Sequence, residues 1–268
     1  STPKPSSAAS DVYKRQCLML AAMPVMAAYT GHVYVDKNKN GVFDQSEKPL
    51  AGIKVSDGLN VVETAADGSF TLPGHERERF IFITTPSGYK TFNRHYHKIE
   101  KKQSGYDFGL IPYSGRIRKD GSHRYIHITD TEIFNTENHA DWVNNVHDYA
   151  RNEQAAFIIH TGDICYEKGL KAHIKLMNTE NMDCPVFYCI GNHDLVKGKY
   201  GEELFESIYG PVYYSFDAGN VHYVVTPMPG GDHAPGYTSD DVCRWLKNDL
   251  AHICLLYTSD AADEGLGV

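Results

Sequence analysis

Residues 186–194 read Val186-Phe187-Tyr188-Cys189-Ile190-Gly191-Asn192-His193-Asp194. The first five form an apolar run of strand length, rich in aromatic and β-branched residues. Gly191 lets the chain turn sharply. The last three offer an amide carbonyl, an imidazole and a carboxylate in succession. The same pattern occurs twice upstream. Tyr125–Ile128 runs into Thr129-Asp130-Thr131-Glu132, and Phe157–His160 runs into Thr161-Gly162-Asp163. Ala140–Asn152, Gly201–Tyr209 and Asp240–Ala251 read as helices. The last carries Val242, Trp245, Leu246 and Leu250 on one face. Tyr213–Phe216 and Val221–Thr226 read as a hairpin across Asp217-Ala218-Gly219-Asn220. Strands alternating with helices imply a layered α/β domain. The carboxyl ends of its strands open into one crevice, where ligands bind. Asp130, Glu132, Asp163, Asn192 and His193 are therefore expected to converge, although they are far apart in sequence.

These residue types suit hydrolysis at phosphorus. Two adjacent metal ions can activate a water and hold phosphoryl oxygens. A carboxylate can bridge both ions, an Asn carbonyl adds an uncharged oxygen ligand, and a His left off the metal can act as general acid. A single Asp at a strand end is ordinarily a turn or cap residue. Three such ends in order, the last reading Gly-Asn-His-Asp, are much harder to explain in that way. His127 and His160 lie within strands and are expected to be packed and hydrogen-bonded rather than ligating. His233 follows Gly230-Gly231-Asp232 on a loop, where it is either in reach of substrate or simply exposed.

Over about Arg124 to His252 the sequence resembles the calcineurin-like metallophosphoesterases. Their pattern is Asp-x-His, Gly-Asp-x-x, Gly-Asn-His-Asp/Glu, a His near a fourth strand, and then Gly-His-x-His. The resemblance implies a layered α/β/β/α fold and two divalent metal ions (Mn, Mg, Fe or Zn). It implies that Asp130 ligates the first ion, Asp163 bridges the pair and Asn192 ligates the second. His193 then acts on the leaving group or binds phosphate, and Asp194 supports the His193 loop. Glu132 stands where the family usually has His; as a ligand it favours harder metals. Tyr166 stands where many members place an Asp that pairs with the catalytic His. No Gly-His-x-His follows Gly191-Asn192. A chain truncated in this way, with its imidazole ligands missing, is expected to be inactive.

The region 29–112 has a different texture. Val33–Val35, Ile53–Val55, Val61-Val62, Ser69–Leu72 and Phe80–Ile83 are short β-type runs. Asp57-Gly58, Asp67-Gly68 and Pro86-Ser87-Gly88 separate them as turns. This is the texture of a small β-sandwich. Within it, Asp36-Lys37-Asn38-Lys39-Asn40-Gly41, with Asp44 and Glu47 further on, fits the spacing of a calcium loop. Strands rather than helices flank it, so an Asn/Gly-rich turn that binds nothing is the competing reading. The region also resembles the N-terminal β-domains of secreted two-domain metallophosphoesterases.

The formal net charge is -8 and 41% of the 268 residues are hydrophobic. A packed core can form. The acidic balance argues against a nucleic-acid partner, including the nuclease reading of the same superfamily. Ser6–Gln16 reads as the translation of a sequencing-library adapter, and Cys254–Asp263 as that of its reverse complement. Residues 1–16 and 253–268 are thus expected to be adapter-derived tails, set aside before fold reasoning. Residues 17–28 look like the end of a secretory signal and point to export, to a periplasm or cell surface. No other stretch is apolar enough to span a membrane. Residues 113–252 would then be an incomplete metallophosphoesterase domain. Cys165, Cys184, Cys189 and Cys243 match no zinc pattern and read as isolated thiols. The expected function is metal-dependent hydrolysis of a phosphomonoester or phosphodiester, on a phosphorylated small molecule, glycan or protein. The alternative is a non-catalytic surface or glycan-binding protein, with Glu132 as the feature that supports it.

Overall fold

A computed structural model describes residues 28–103, 105–113 and 116–253. The two adapter-like tails, apart from Ile253, and the leader-like stretch up to residue 27 lie outside the described residues. The strand-rich N-terminal region forms two sheets. One runs β2 (Lys48–Pro49), β1 (Tyr29–Val35), β9 (Phe108–Pro112) and β7 (Tyr89–Thr91), with β5 (Ser69–Leu72) also on β1. The other runs β4 (Val61–Glu63), β3 (Lys54–Ser56), β6 (Phe80–Ile83) and β8 (Tyr96–Lys98). The two sheets close on one core that includes Val33, Val55, Leu72, Ile81, Ile83, Phe108 and Leu110. In β6, Ile81 and Ile83 face this core while Phe80 and Phe82 face the other way. That alternation is the two-residue period of a strand.

The second region is built on a parallel sheet of β10 (Tyr125–Ile128), β11 (Phe157–His160) and β12 (Val186–Tyr188). Ile158, Val186 and Tyr188 face a cluster with Val143 and Ala150 of α1 (His139–Asn152), Leu170 of α2 (Tyr166–Leu176) and Phe205 of α3 (Glu203–Tyr209). Phe157 and Phe187 face the opposite way. There they meet Phe216 and Val225 of the hairpin β13 (Tyr214–Ala218) and β14 (Val221–Val225), and Trp245 of α4 (Ser239–Leu250). The layers are therefore helix, sheet, sheet, helix. The rings of Phe187 and Phe216 stack 3.6 Å apart. Phe80, Phe82 and Tyr96 of the N-terminal sheet complete this same cluster. The N-terminal sandwich thus lends one face to the core of the second region.

Most strand expectations coincide with the structure, with small shifts at the ends. The expected strand Val186–Ile190 stops at Tyr188, and the hairpin turns across Gly219-Asn220 alone. Helix α2 was not expected. Its sequence, YEKGLKAHIKL, is interrupted by Gly169, which reads as a helix breaker. A β-carbon there would lie 2.7 Å from the Ile133 carbonyl oxygen. The glycine lets the loop after β10 lie directly on the helix. Helix α4 starts with a reciprocal cap: Thr238 Oγ1 accepts from the Asp241 amide, and the Asp241 carboxylate accepts from the Thr238 amide.

Candidate active site

Three loops leave the carboxyl ends of β10, β11 and β12 side by side. The amides of Asp130, Glu132 and Ile133 donate to the carbonyls of Gly162, Asp163 and Ile164 at 3.1, 3.0 and 2.8 Å. The first two loops are thus laced together by their backbones. The second and third touch through glycine. A β-carbon on Gly162 would sit 2.3 Å from the Gly191 nitrogen, and one on Gly191 would sit 2.2 Å from Asp163 Oδ1. No other residue type fits either place without displacing the neighbouring loop. Asp163 Oδ1 also accepts the His193 amide at 3.0 Å.

Left-handed backbone accumulates here. Asp130, Glu132, Asp163, Cys165 and Tyr166 have φ of 51°, 42°, 54°, 72° and 52°. Non-glycine residues adopt this region at a cost and cluster there at functional sites. The loop-to-loop hydrogen bonds hold them in place.

Asp194 is fully buried, and its two oxygens accept from Cys165 (2.8 Å) and Gly191 (3.0 Å). It braces the second loop against the third and does not face the crevice. Burial raises its carboxyl pKa, and the two backbone bonds oppose that rise. Burial also pushes the neighbouring Cys165 thiol up to about 12, with the charges of Asp194, Asp163, Glu132 and Asp130 adding to the effect. All four carboxylates therefore lie near the Cys165 thiol. Asp163 Oδ2, Asp130 Oδ1, both Glu132 oxygens and the Asn192 side chain accept no hydrogen bond among the described residues. Among the described residues, no lysine or arginine pairs with these carboxylates either. Their free lone pairs and uncompensated charge suit a hard divalent cation. The carboxylates do not close to 4.8 Å of one another. The triple that does, among the described residues, is Asp57, His75 and Glu78 in the N-terminal region. That triple is already satisfied internally. Asp57 oxygens accept from Leu59 and Asn60, Glu78 accepts from Tyr29 and the His75 amide, and His75 bonds the Asp57 carbonyl.

His193 reaches out of the third loop, and its Nδ1 meets Asp232 at 3.0 and 3.2 Å. The hydrogen bond with Asp232 raises the His193 pKa. Asp232 is held by its own amide, which donates to the Asn192 carbonyl at 3.1 Å, while Gly231 packs on Asn192. Sequence reasoning missed Asp232 and singled out its neighbour His233, which is exposed. The glycine pair before Asp232 was the available signal. The carboxylate partner that Tyr166 fails to provide thus comes from a later loop; Tyr166 is exposed beside Phe134. His160 is buried: Nδ1 accepts from Gly162 and Nε2 bonds Thr131. Burial depresses it to about 4. His127 bonds Thr161 at 2.8 Å. Neither aims at the carboxylates as a free ligand. The four described cysteines are all free thiols.

The helix-sheet-sheet-helix layering with a strand-rich domain in front is that of the layered fold expected from the sequence. The family described as calcineurin-like phosphoesterase matches residues 123–250, and the N-terminal domain of calcineurin-like phosphoesterase matches residues 37–112. The chain belongs to the calcineurin-like metallophosphoesterases and carries their N-terminal domain. No curated protein matches it.

Proposed function

We propose that the crevice formed by the loops after β10, β11 and β12 hydrolyses a phosphomonoester or phosphodiester. Asp130, Glu132, Asp163 and Asn192 would hold the metal. Bound there, divalent metal would supply Lewis acidity and a water acidified enough to attack phosphorus. The chain's own residues do the rest. The laced loops fix the carboxylates before substrate arrives, so little reorganisation is left for the reaction. Asp232 holds the His193 imidazole by Nδ1, which leaves Nε2 free to face the ester. In its protonated form His193 donates to the departing oxygen or to a phosphoryl oxygen. Asp194 acts as a positioning residue, because its oxygens bind backbone rather than solvent.

The observation that carries this reading is the set of unpaired acceptors on Asp130, Glu132, Asp163 and Asn192, with the Asp232–His193 pair beside it. The test is an assay of a chromogenic phosphoester with added Mn, run with metal analysis on wild type and Asp163→Asn. Where the family's Gly-His-x-His ligands accompany these residues, metal-dependent turnover is expected for wild type, and the variant should lose activity and metal together. Unchanged turnover in the variant would sink the assignment. A folded wild-type chain that binds no metal would favour the binding-module reading, which Glu132 in place of a family His supports.

A further inference from the structure

We propose that the loop Asp36–Glu47 of the N-terminal domain binds one calcium ion, with Asp36, Asn38, Asn40, Asp44 and Glu47 as side-chain ligands. The spacing is that of positions 1, 3, 5, 9 and 12 of a calcium loop, with glycine at the sixth position. The structure gives that pattern its fold. Gly41 sits at φ 70°, where the sharp turn needs glycine. The Asp36 carboxylate accepts the amides of Asn40 (3.2 Å) and Gly41 (2.9 Å), which draws the loop around its first residue. The side-chain amides of Asn38 and Asn40 both reach Asp44 Oδ2, at 2.8 and 3.1 Å. Glu47 closes the ring from the far end by accepting from Lys37 (2.8 Å) and Asp44 (3.2 Å).

Hydrogen bonds of this kind would also hold a turn that binds nothing. Two further observations point to a cation. Asp36 and Glu47 are only 1% and 6% exposed, yet neither pairs with a lysine or arginine among the described residues. Buried carboxylates ordinarily have a cationic partner or a metal. Lys37 and Lys39 point to solvent instead. The second observation is Tyr34, which is fully buried with its hydroxyl unpartnered among the described residues. Its ring stacks on Phe43 of the loop at 4.8 Å. Its hydroxyl and Asp36 Oδ2 lie 3.2 and 2.9 Å from one point, the place a β-carbon on Gly109 would take. The hydroxyl thus lies on the Asp36 side of the loop, where it can bond a calcium-bound water.

The carboxylates of Asp36, Asp44 and Glu47 are not all within 4.8 Å of one another. Ligands on opposite sides of a calcium ion stand roughly 5 Å apart, and the two Asn side chains fill the ring between them. The inference is independent of the phosphoesterase reading, because the loop lies in the other domain and shares no residue with the crevice.

The test is calorimetric titration of the full chain with Ca²⁺, together with terbium luminescence excited through tyrosine. Saturable binding is expected at a Kd on the order of 10⁻⁴ M, the range of extracellular calcium modules. Glu47→Gln and Asp44→Asn should each weaken it by about ten-fold or more. Asp44 is the safer position should Glu47→Gln fail to fold, since its carboxylate contacts only the loop. Asp57→Asn should leave the signal unchanged, and in Asp163→Asn the site that Asp44→Asn removes should persist. Wild-type affinity in the folded Asp44→Asn variant would overturn the proposal, as would loss of the signal in Asp57→Asn or Asp163→Asn alone. Absence of saturable binding in the wild-type chain would overturn it as well.

Discussion

Asp232 holds His193 by Nδ1 at 3.0 Å across 39 residues of chain, from a loop anchored on the carbonyl of Asn192. The pair ties the orientation of the imidazole to the residue just before it. Asp232→Asn should keep the hydrogen bond's shape but lose its charge, and turnover should fall by about 10–100-fold with metal content preserved. Asp232→Ala should fall further. Equal activity of both variants and wild type would remove Asp232 from the site.

Gly191 has φ −90°, a conformation open to any residue, so replacing it carries no backbone penalty. The obstacle is space alone, since a β-carbon would stand 2.2 Å from Asp163 Oδ1. Gly191→Ala should therefore displace Asp163, lower metal affinity and destabilise the fold by about 1–3 kcal/mol. Gly105→Ala, where nothing lies within 4 Å, is the control and should be neutral. Thermal melts and metal titration of both variants decide the matter.

Arg79, beside β6, reaches Glu202 at 3.1 Å and Glu206 at 2.9 Å, and its guanidinium lies over the Tyr200 ring. Glu202 is fully buried. Arg79→Met should strand these carboxylates and cost about 2–4 kcal/mol, the low side for a buried pair because Arg79 keeps some solvent contact. Chemical denaturation measures the loss. A change within a few tenths of a kcal/mol would show that the pair adds nothing.

His222 lies between Asp217 (2.6 Å) and Asp249 (2.8 Å). Burial alone would lower its pKa, but the two hydrogen bonds and both charges override it and lift the value from 6.5 to about 9. The folded state therefore holds the proton more tightly than the unfolded chain. The contribution is fully present below about 6.5 and is lost as pH rises through about 9. Wild-type Tm should fall between pH 7 and pH 9.5, and His222→Gln should flatten that slope. An equal slope in both would refute it.

The strands Ser69–Leu72, Phe80–Ile83, Tyr125–Ile128 and Phe157–His160 were legible because apolar runs end in turn or site residues on both sides. That Asp130, Glu132, Asp163 and Asn192 lie on adjoining loops was legible because each follows its strand at once. The Asp232 loop was not, because Met228 to Tyr237 has no periodicity and its position depends on contacts with Asn192. Helix α2 was hidden by Gly169, whose reason is a close approach of distant backbone. The parallel pairing of β1 with β9 was also out of reach, since it joins segments separated by nearly the whole N-terminal domain.

The face-to-face rings of Phe187 and Phe216 sit in a cluster that also takes in Phe80, Phe82, Tyr96 and Trp245. The two family matches meet across residues 112–123 in sequence, but the oily interior does not respect that seam. Such a chain should melt as a single cooperative unit. Recombination is constrained too. A crossover placed at the seam would trade the sandwich without the residues that Phe80, Phe82 and Tyr96 rest on. A functional hybrid would have to inherit both sides of that aromatic seat together.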